Sequence, residues 1–253
     1  MPTGSKLCLI PVPLAAEVIP GDDLAEKLAA ALEHQKLKLQ SRDILVVKHK
    51  IVSKAEGRIF KLSSVRPSRR ALAWARRSGG DAGVIELALA ESRRVVRKQR
   101  GVLITQTRHG LVCANSGVDV SNVDGGESVL LLPKDPDHSA AHLRSRLKKL
   151  SGADIAVIIS DSFGRPWRQG LTEVAIGVAG MKPLLDYRGR RDKHGYQLHA
   201  TAEAVADEVA CAAGLVCGKL NRTPACIVRG LRFPGARGSA RELIRPARED
   251  LFR

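Results

Sequence analysis

The stretch from Ile155 to Arg168, IAVIISDSFGRPWR, limits what this chain can fold into more than any other. Ile155 to Ile159 is a short β-branched apolar run, which predicts a buried strand. Ser160, Asp161 and Ser162 then break the apolar pattern, and Gly164 and Pro166 are expected to stop the strand. A strand that ends in a carboxylate and a hydroxyl, followed by Gly, two Arg and a Trp, has the composition of a site. Asp161 and Ser162 can offer two oxygens to a hard cation such as Mg²⁺. Arg165 and Arg168 are rigid donors suited to phosphate or carboxylate.

The remaining elements predict an α+β chain with mixed sheets. Leu7 to Val12, Ile44 to Val47, Val129 to Leu132 and Ala225 to Val228 read as strands. Val102–Thr105 and Leu111–Cys113 read as a hairpin closed by Thr107 to Gly110. Helices are expected at Leu24–Leu32, capped by Asp22 or Asp23, and at Pro67–Arg77. Further helices are expected at Ala82–Arg100, at His138–Leu150 behind Asp137 or Ser139, and at Thr201–Ala213. Leu171 to Met181 holds Gly177 and Gly180 among small apolar residues and must pack closely against something. Hairpin-like pairs among alternating strands and helices favour a mixed arrangement over a regular doubly wound sheet. Only 3% of residues are aromatic, so aliphatic side chains and Ala must fill the core. With no repeat or low-complexity linker, residues 1–253 read as one catalytic unit with room for two intertwined subdomains.

Charge narrows the function. The formal net charge is +16, a field that draws in nucleic acid, nucleotides or a polyacidic small molecule. Lys48, His49, Lys50, Lys54 and Arg58 crowd the eleven residues after the second strand, and such donors can hold an anion or simply face water. Ala114 to Asn122 is rich in small polar residues, with Asp119 and Asn122 as oxygen donors; the alternative is a plain Asn/Ser/Gly turn. The Asp186–Gly195 segment, with both signs of charge, could fold over a charged substrate or equally be a disordered surface loop. GLVCGKL at Gly214–Leu220 is not a phosphate loop: its glycines are too close, and Leu220 stands where a hydroxyl must bind metal. The five cysteines contain no CxxC and read as reduced thiols of a cytoplasmic protein. Neither a signal peptide nor a membrane span is expected.

Taken in order, GDDLAEKL, KIVSKAEGR, TRHGLVCANSGVDVSNVD, LLPKDPDHSA, SDSFGRPWRQGLTEVAIGVAG, DYRGRRDKHG and AVADEVACAAGL cover nearly the whole chain. Together they resemble the coenzyme F420-0:L-glutamate ligase (gamma-glutamyl ligase) family. The pairing of ANSGVDVSN with SDSFGRPWR is the specific part.

The resemblance implies a two-lobed α+β fold unlike Rossmann and P-loop folds, and a cytoplasmic homodimer. It implies GTP-dependent addition of L-glutamate to the terminal carboxylate of the deazaflavin precursor, with further γ-linked glutamates in some members. Mg²⁺ or Mn²⁺ and K⁺ are implied as cations. By position, Asp119 and Asp161 are expected to share a metal, with Ser162 at a second one. Nucleotide contacts are expected from Ala15, Ala16, Glu17 and Val18, from His49, Lys50 and Lys54, from Asn122, and from Cys217, Gly218, Lys219, Leu220, Asn221, Arg222, Thr223 and Pro224. Lys219 departs from the family, which often has Gln or Glu beside the second metal there. An ammonium has no lone pair with which to ligate a cation. Lys48-His49 is a milder departure, since Gln before Lys50 is more usual.

The implied chemistry suits the residues. Making an amide from a carboxylate requires converting its oxygen into a leaving group, and phosphoryl transfer to that carboxylate brings two anions together. Charge neutralisation by metal on Asp119 and Asp161, by Lys54 and by the Arg165/Arg168 pair is what that step needs. Two rival classes are a basic nucleic-acid-binding protein and an inactive member of the ligase fold. Scarce aromatics, dispersed charge and the lack of a module signature oppose the first. Lys219 is the one feature that favours the second.

Overall fold

The computed structural model describes residues 6–120 and 124–250. In chain order the elements are β1 (Cys8–Val12), α1 (Leu24–His34), β2 (Ile44–Lys48), α2 (His49–Ala55), β3 (Ile59–Lys61), α3 (Arg69–Ser78), α4 (Ala82–Ala90), β4 (Ser92–Gln99), β5 (Val102–Thr107) and β6 (Val112–Ala114). They continue as β7 (Ser128–Leu130), α5 (Pro136–Ser151), β8 (Ala156–Arg165), β9 (Arg168–Ala179), β10 (Leu185–Asp186), β11 (Ala202–Glu203), α6 (Val205–Cys217) and β12 (Ala225–Arg229).

The main sheet has the order β1-β12-β2-β8-β9. Only β2 and β8 run parallel; the other pairings are antiparallel. The sheet is mixed, as an α+β chain should be. Successive residues of a strand face opposite sides. Leu45, Val47, Val157 and Ile159 therefore join α1, α2 and α5 in one core. Ile44, Val46, Ala156 and Ile158 join α6 and Phe233 in another. Burial on both faces explains why β2 and β8 are unbroken apolar runs. Asp43, immediately before β2, is almost fully buried and takes a bidentate Arg229 from β12 at 2.8 and 2.7 Å. That geometry pairs the two strand ends with charge-assisted hydrogen bonds.

A third, smaller core is made by Ala71, Ile85, Ala88 and Leu103. It joins α3 and α4 to a sheet of order β4-β5-β6. Here the expected helix over Ala82–Arg100 is corrected. The helix ends at Ala90, and Ser92–Gln99 is an edge strand paired with β5. Arg93, Arg94, Arg97 and Lys98 are exposed, so no apolar alternation marks the strand; cations on an edge also discourage pairing with a second sheet.

Other boundaries move as well. The strand at Ile155 does not stop at Gly164. β8 runs on to Arg165 and returns as β9 across a two-residue turn, Pro166–Trp167, with Trp167 at φ 57°. Pro166 sits in that turn, where its missing N–H costs nothing. α5 starts at Pro136 with Asp135 as cap, two residues ahead of the expected start. α6 begins at Val205, four residues later than expected, and runs to Cys217. Asp23 caps α1, accepting from the Ala25 and Glu26 amides at 3.0 and 3.2 Å.

The close packing expected of Leu171–Met181 is found. A Cβ at Gly177 would sit 2.3 Å from the Pro136 carbonyl oxygen, so β9 touches the start of α5 backbone to backbone. In the Asp186–Gly195 segment β10 and β11 form the base, and the backbone pairs Gly189 with Leu198 and Asp192 with Tyr196. Among the described residues, no helix is long and apolar enough to cross a membrane.

Candidate active site

The site is built around α2, which follows β2 directly and packs between β7 and β8. The Lys48 amide donates to the Pro224 carbonyl at 2.8 Å, which seats the segment after α6 beside the start of α2. Adjacent residues of α2 then reach two different carboxylates. His49 Nε2 lies 3.2 Å from Asp161 Oδ1, and Lys50 Nζ lies 2.7 Å from Asp119 Oδ2. Two aspartates far apart in sequence are thus drawn to one short helix. Asp119 is held opposite Leu130 by two backbone hydrogen bonds, and Asp161 by its place on β8.

Two further observations mark this as a site. His49 is buried, and its Nε2, though close to Asp161, has no aligned hydrogen bond. Buried imidazole nitrogens without partners call for an explanation such as a missing ligand or ion. Cys113, on β6, has its pKa pushed up to about 12 by burial and then by the Asp161 charge. β6 therefore brings the small core against Asp161.

Lys54 lies one turn further along α2. Its side chain is 11% exposed and meets Glu17 Oε1 at 2.5 Å, while Glu17 itself is 67% exposed. This contact joins the Ala15–Val18 segment to α2; Val18 is buried in the main core beneath it. Ala15 and Ala16 flank it on the surface side.

Glu173 is the residue that sequence reasoning missed. It stands opposite Ser162 on β9 and is 7% exposed. Lys48 Nζ approaches Oε1 at 2.6 Å, the Ser162 hydroxyl donates to Oε1 at 2.7 Å, and the Ser160 hydroxyl donates to Oε2 at 3.0 Å. Burial pushes the Glu173 carboxyl up, but Lys48 and the hydroxyls outweigh it and hold it below the ordinary glutamate range. A Cβ at Gly214 would lie 2.6 Å from Glu173 Cγ, so α6 presses onto this carboxylate where only a glycine leaves room. The available signal was parity: Glu173 shares a strand face with Ala175 inside the apolar run LTEVAIG. Lys48, singled out only as part of a basic cluster, is the cation of this pair.

The other candidates are placed as follows. Lys219 Nζ reaches the Ser162 hydroxyl and lies 3.6 Å from Glu173 Oε1. Gly218 sits at φ 60° and Arg222 at φ 50°, so Cys217–Pro224 is a tight excursion, with Leu220 exposed at its tip and Thr223 Oγ1 bonded to the Asn221 carbonyl at 3.0 Å. Arg165 and Arg168 pair at the tip of the β8–β9 hairpin, both exposed. Arg165 lies four residues along the strand from Asp161, roughly 13 Å of backbone. Asn122 lies outside the described residues. The small polar turn before it spends its donors internally: Ser116 Oγ bonds the Ala88 carbonyl at 2.7 Å, and Leu103 N bonds Asn115 Oδ1 at 3.2 Å.

Asp119 and Asp161 offer oxygens of the kind a hard divalent ion takes, one or two carboxylates with water and phosphate oxygens filling the rest of the shell. Among the described residues, no group of three or more His, Cys, Asp or Glu side chains is placed to hold a metal ion. A second ion at Ser162 does not fit: that hydroxyl donates to Glu173 and accepts from the Lys219 ammonium.

Comparison with known proteins shows the family. A family profile described as F420-0:Gamma-glutamyl ligase matches residues 14–230. A protein of Methanopyrus kandleri named coenzyme F420:L-glutamate ligase is 47% identical over 96% of this chain and 96% of its own length. Proteins of the same name from Methanothermobacter thermautotrophicus and Methanocaldococcus jannaschii are 44% and 42% identical, over 92% and 85% of this chain and 93% and 86% of their own lengths. The residues gathered around α2 thus lie inside the matched region, and the chain belongs to the F420-0:gamma-glutamyl ligase family.

Proposed function

We propose that this protein is a coenzyme F420:L-glutamate ligase. It joins L-glutamate to the terminal carboxylate of the deazaflavin precursor at the expense of GTP. The observation that carries the reading is that Asp119 and Asp161 reach adjacent residues of α2, the helix that also carries the buried Lys54.

The precursor carboxylate attacks the γ-phosphorus, and the bond to the bridging oxygen of the diphosphate breaks. This leaves GDP and an acyl phosphate. The free amine of glutamate then adds to the acyl carbon, phosphate departs with the C–O electron pair, and the amine loses a proton. Both reacting partners of the first step are anions, so positioning and charge neutralisation dominate it. A divalent ion held by Asp119 and Asp161 would neutralise phosphate charge. Lys54 holds a compact positive charge in a largely desolvated place, where it acts more strongly than in water. Glu17 is its exposed partner and gives way to a phosphate without burying a lone carboxylate. His49 Nε2 lies 3.2 Å from Asp161 Oδ1 without an aligned hydrogen bond and offers its N–H to a bound oxygen. Arg165 and Arg168, exposed at the hairpin tip, offer guanidinium donors to acidic substrates that extend that far.

The test is direct. Purified protein, the deazaflavin precursor, glutamate, GTP and Mn²⁺ are expected to give a product heavier by one glutamyl unit, with one phosphate released per bond. ATP in place of GTP is expected to give little product. No mass increment under these conditions refutes the proposal.

A further inference from the structure

The Ser162–Glu173 pocket contradicts the two-cation arrangement that the family resemblance implies, and the contradiction has a structural content of its own. The Ser162 hydroxyl has spent its proton on Glu173 at 2.7 Å, so only its lone pairs face outward. Those lone pairs, with Glu173 Oε1, are what a small cation wants. The group found on them is the Lys219 ammonium, which reaches Ser162 Oγ and stands 3.6 Å from Oε1. Lys219 arrives from solvent, 62% exposed along its side chain, on the excursion that begins at Gly218. The pocket itself is built. Ser160 is buried, Glu173 nearly so, and α6 closes over the carboxylate at Gly214. Lys48 already pairs with Glu173 at 2.6 Å, so Lys219 is not needed to neutralise it.

We propose that the Ser162–Glu173 pocket is a cation seat that this chain occupies from within, the Lys219 ammonium replacing a free ion. An alkylammonium and a bare monovalent ion ask for the same few oxygens, and a tethered charge need not be recruited from solution. The enzyme consequently holds the divalent ion of Asp119 and Asp161 but has no separate requirement for an ion at Ser162. The inference concerns cation binding by the resting protein and does not depend on which reaction follows.

Thermal unfolding without nucleotide tests it, in chloride salts of K⁺, NH₄⁺ and tetramethylammonium at fixed ionic strength, with wild type, Lys219→Ala and Lys219→Gln. The wild type is expected to melt at one temperature in all three salts. The variants are expected to show a saturable rise in K⁺ or NH₄⁺ but not in tetramethylammonium, which is too large for the pocket. An ion that binds only the folded state at ten times its Kd raises Tm by about 3–6 °C for a chain of this size. Mn²⁺ titration followed by electron paramagnetic resonance supplies a second readout: one additional bound Mn²⁺ in either variant also supports an opened seat. A K⁺-specific rise in the wild type shows that the pocket already takes an ion and overturns the proposal. Variants with neither a salt-specific rise nor an extra Mn²⁺ overturn it too, whatever their stability. Lys219 is then only a surface ion pair.

Discussion

Glutamine in place of Glu173 is the most informative single change in this protein. The amide has the same shape, so no cavity opens. Its oxygen can still accept one hydroxyl, and its NH₂ can donate to the other if that serine turns. What is lost is the charge facing Lys48, whose ammonium is 2.6 Å away and 17% exposed. Removing one member of a buried ion pair costs about 3–5 kcal/mol, because the other charge stays behind. Lys48 keeps part of its hydration, so the lower end, about 3 kcal/mol, applies. For a chain of this size that is a fall in Tm of about 6–12 °C. The pH dependence gives the reasoning a second edge. Glu173 titrates below its unfolded value. Its contribution is therefore complete above the ordinary glutamate pKa, near 4.5, and is lost as pH falls through the lower folded value. Differential scanning calorimetry from pH 7 to pH 3 should show the wild-type and Glu173→Gln curves converging at the acid end, where both side chains are neutral. A Tm difference under about 2 °C at pH 7, or one that stays constant into acid, refutes the account of Glu173 as the pocket's charged anchor.

Asp161→Ala is expected to abolish glutamyl transfer while leaving the far-ultraviolet circular dichroism spectrum unchanged, because the Asp161 side chain is only partly buried, midway along β8; an active variant removes the site assignment. Lys54→Met keeps the buried stem and deletes the charge. Loss of a charge-assisted contact worth about 1.5–3 kcal/mol should weaken nucleotide binding about 10–100-fold by isothermal titration, and unchanged affinity would count against a phosphate contact there. Gly177→Ala places a methyl 2.3 Å from the Pro136 carbonyl oxygen. Urea denaturation should report a loss of at least 1–3 kcal/mol, the usual cost of overpacking.

How much of this was legible beforehand follows from what a linear pattern can carry. β2, β8 and β12 were visible because burial on both faces leaves an unbroken aliphatic run. The hairpin of β5 and β6 was visible because its turn residues sit between two apolar runs. Helix boundaries slipped where several polar residues could serve as caps, as at Asp135 against Asp137. β4 was hidden because an exposed edge strand studded with arginine has no apolar period, and its Val95-Val96 pair fits a helix as well as a strand. Gly164 misled because a glycine that breaks an isolated strand is harmless in a hairpin whose partner supplies every hydrogen bond.

By itself the sequence determined the family, the mixed α+β character and the identity of Asp119, Asp161 and Lys54 as residues of interest, because those depend on local residue types and their order. Only the tertiary structure decided that adjacent residues of α2 reach the two aspartates, that Glu173 is the buried partner of Lys48, and that Lys219 sits on Ser162. The reason is physical. Charge and hydrogen bonding act through space over a few ångströms, and the chain brings residues 48, 162, 173 and 219 within that range only by pairing β2 with β8 and β8 with β9, and by laying α6 against β9.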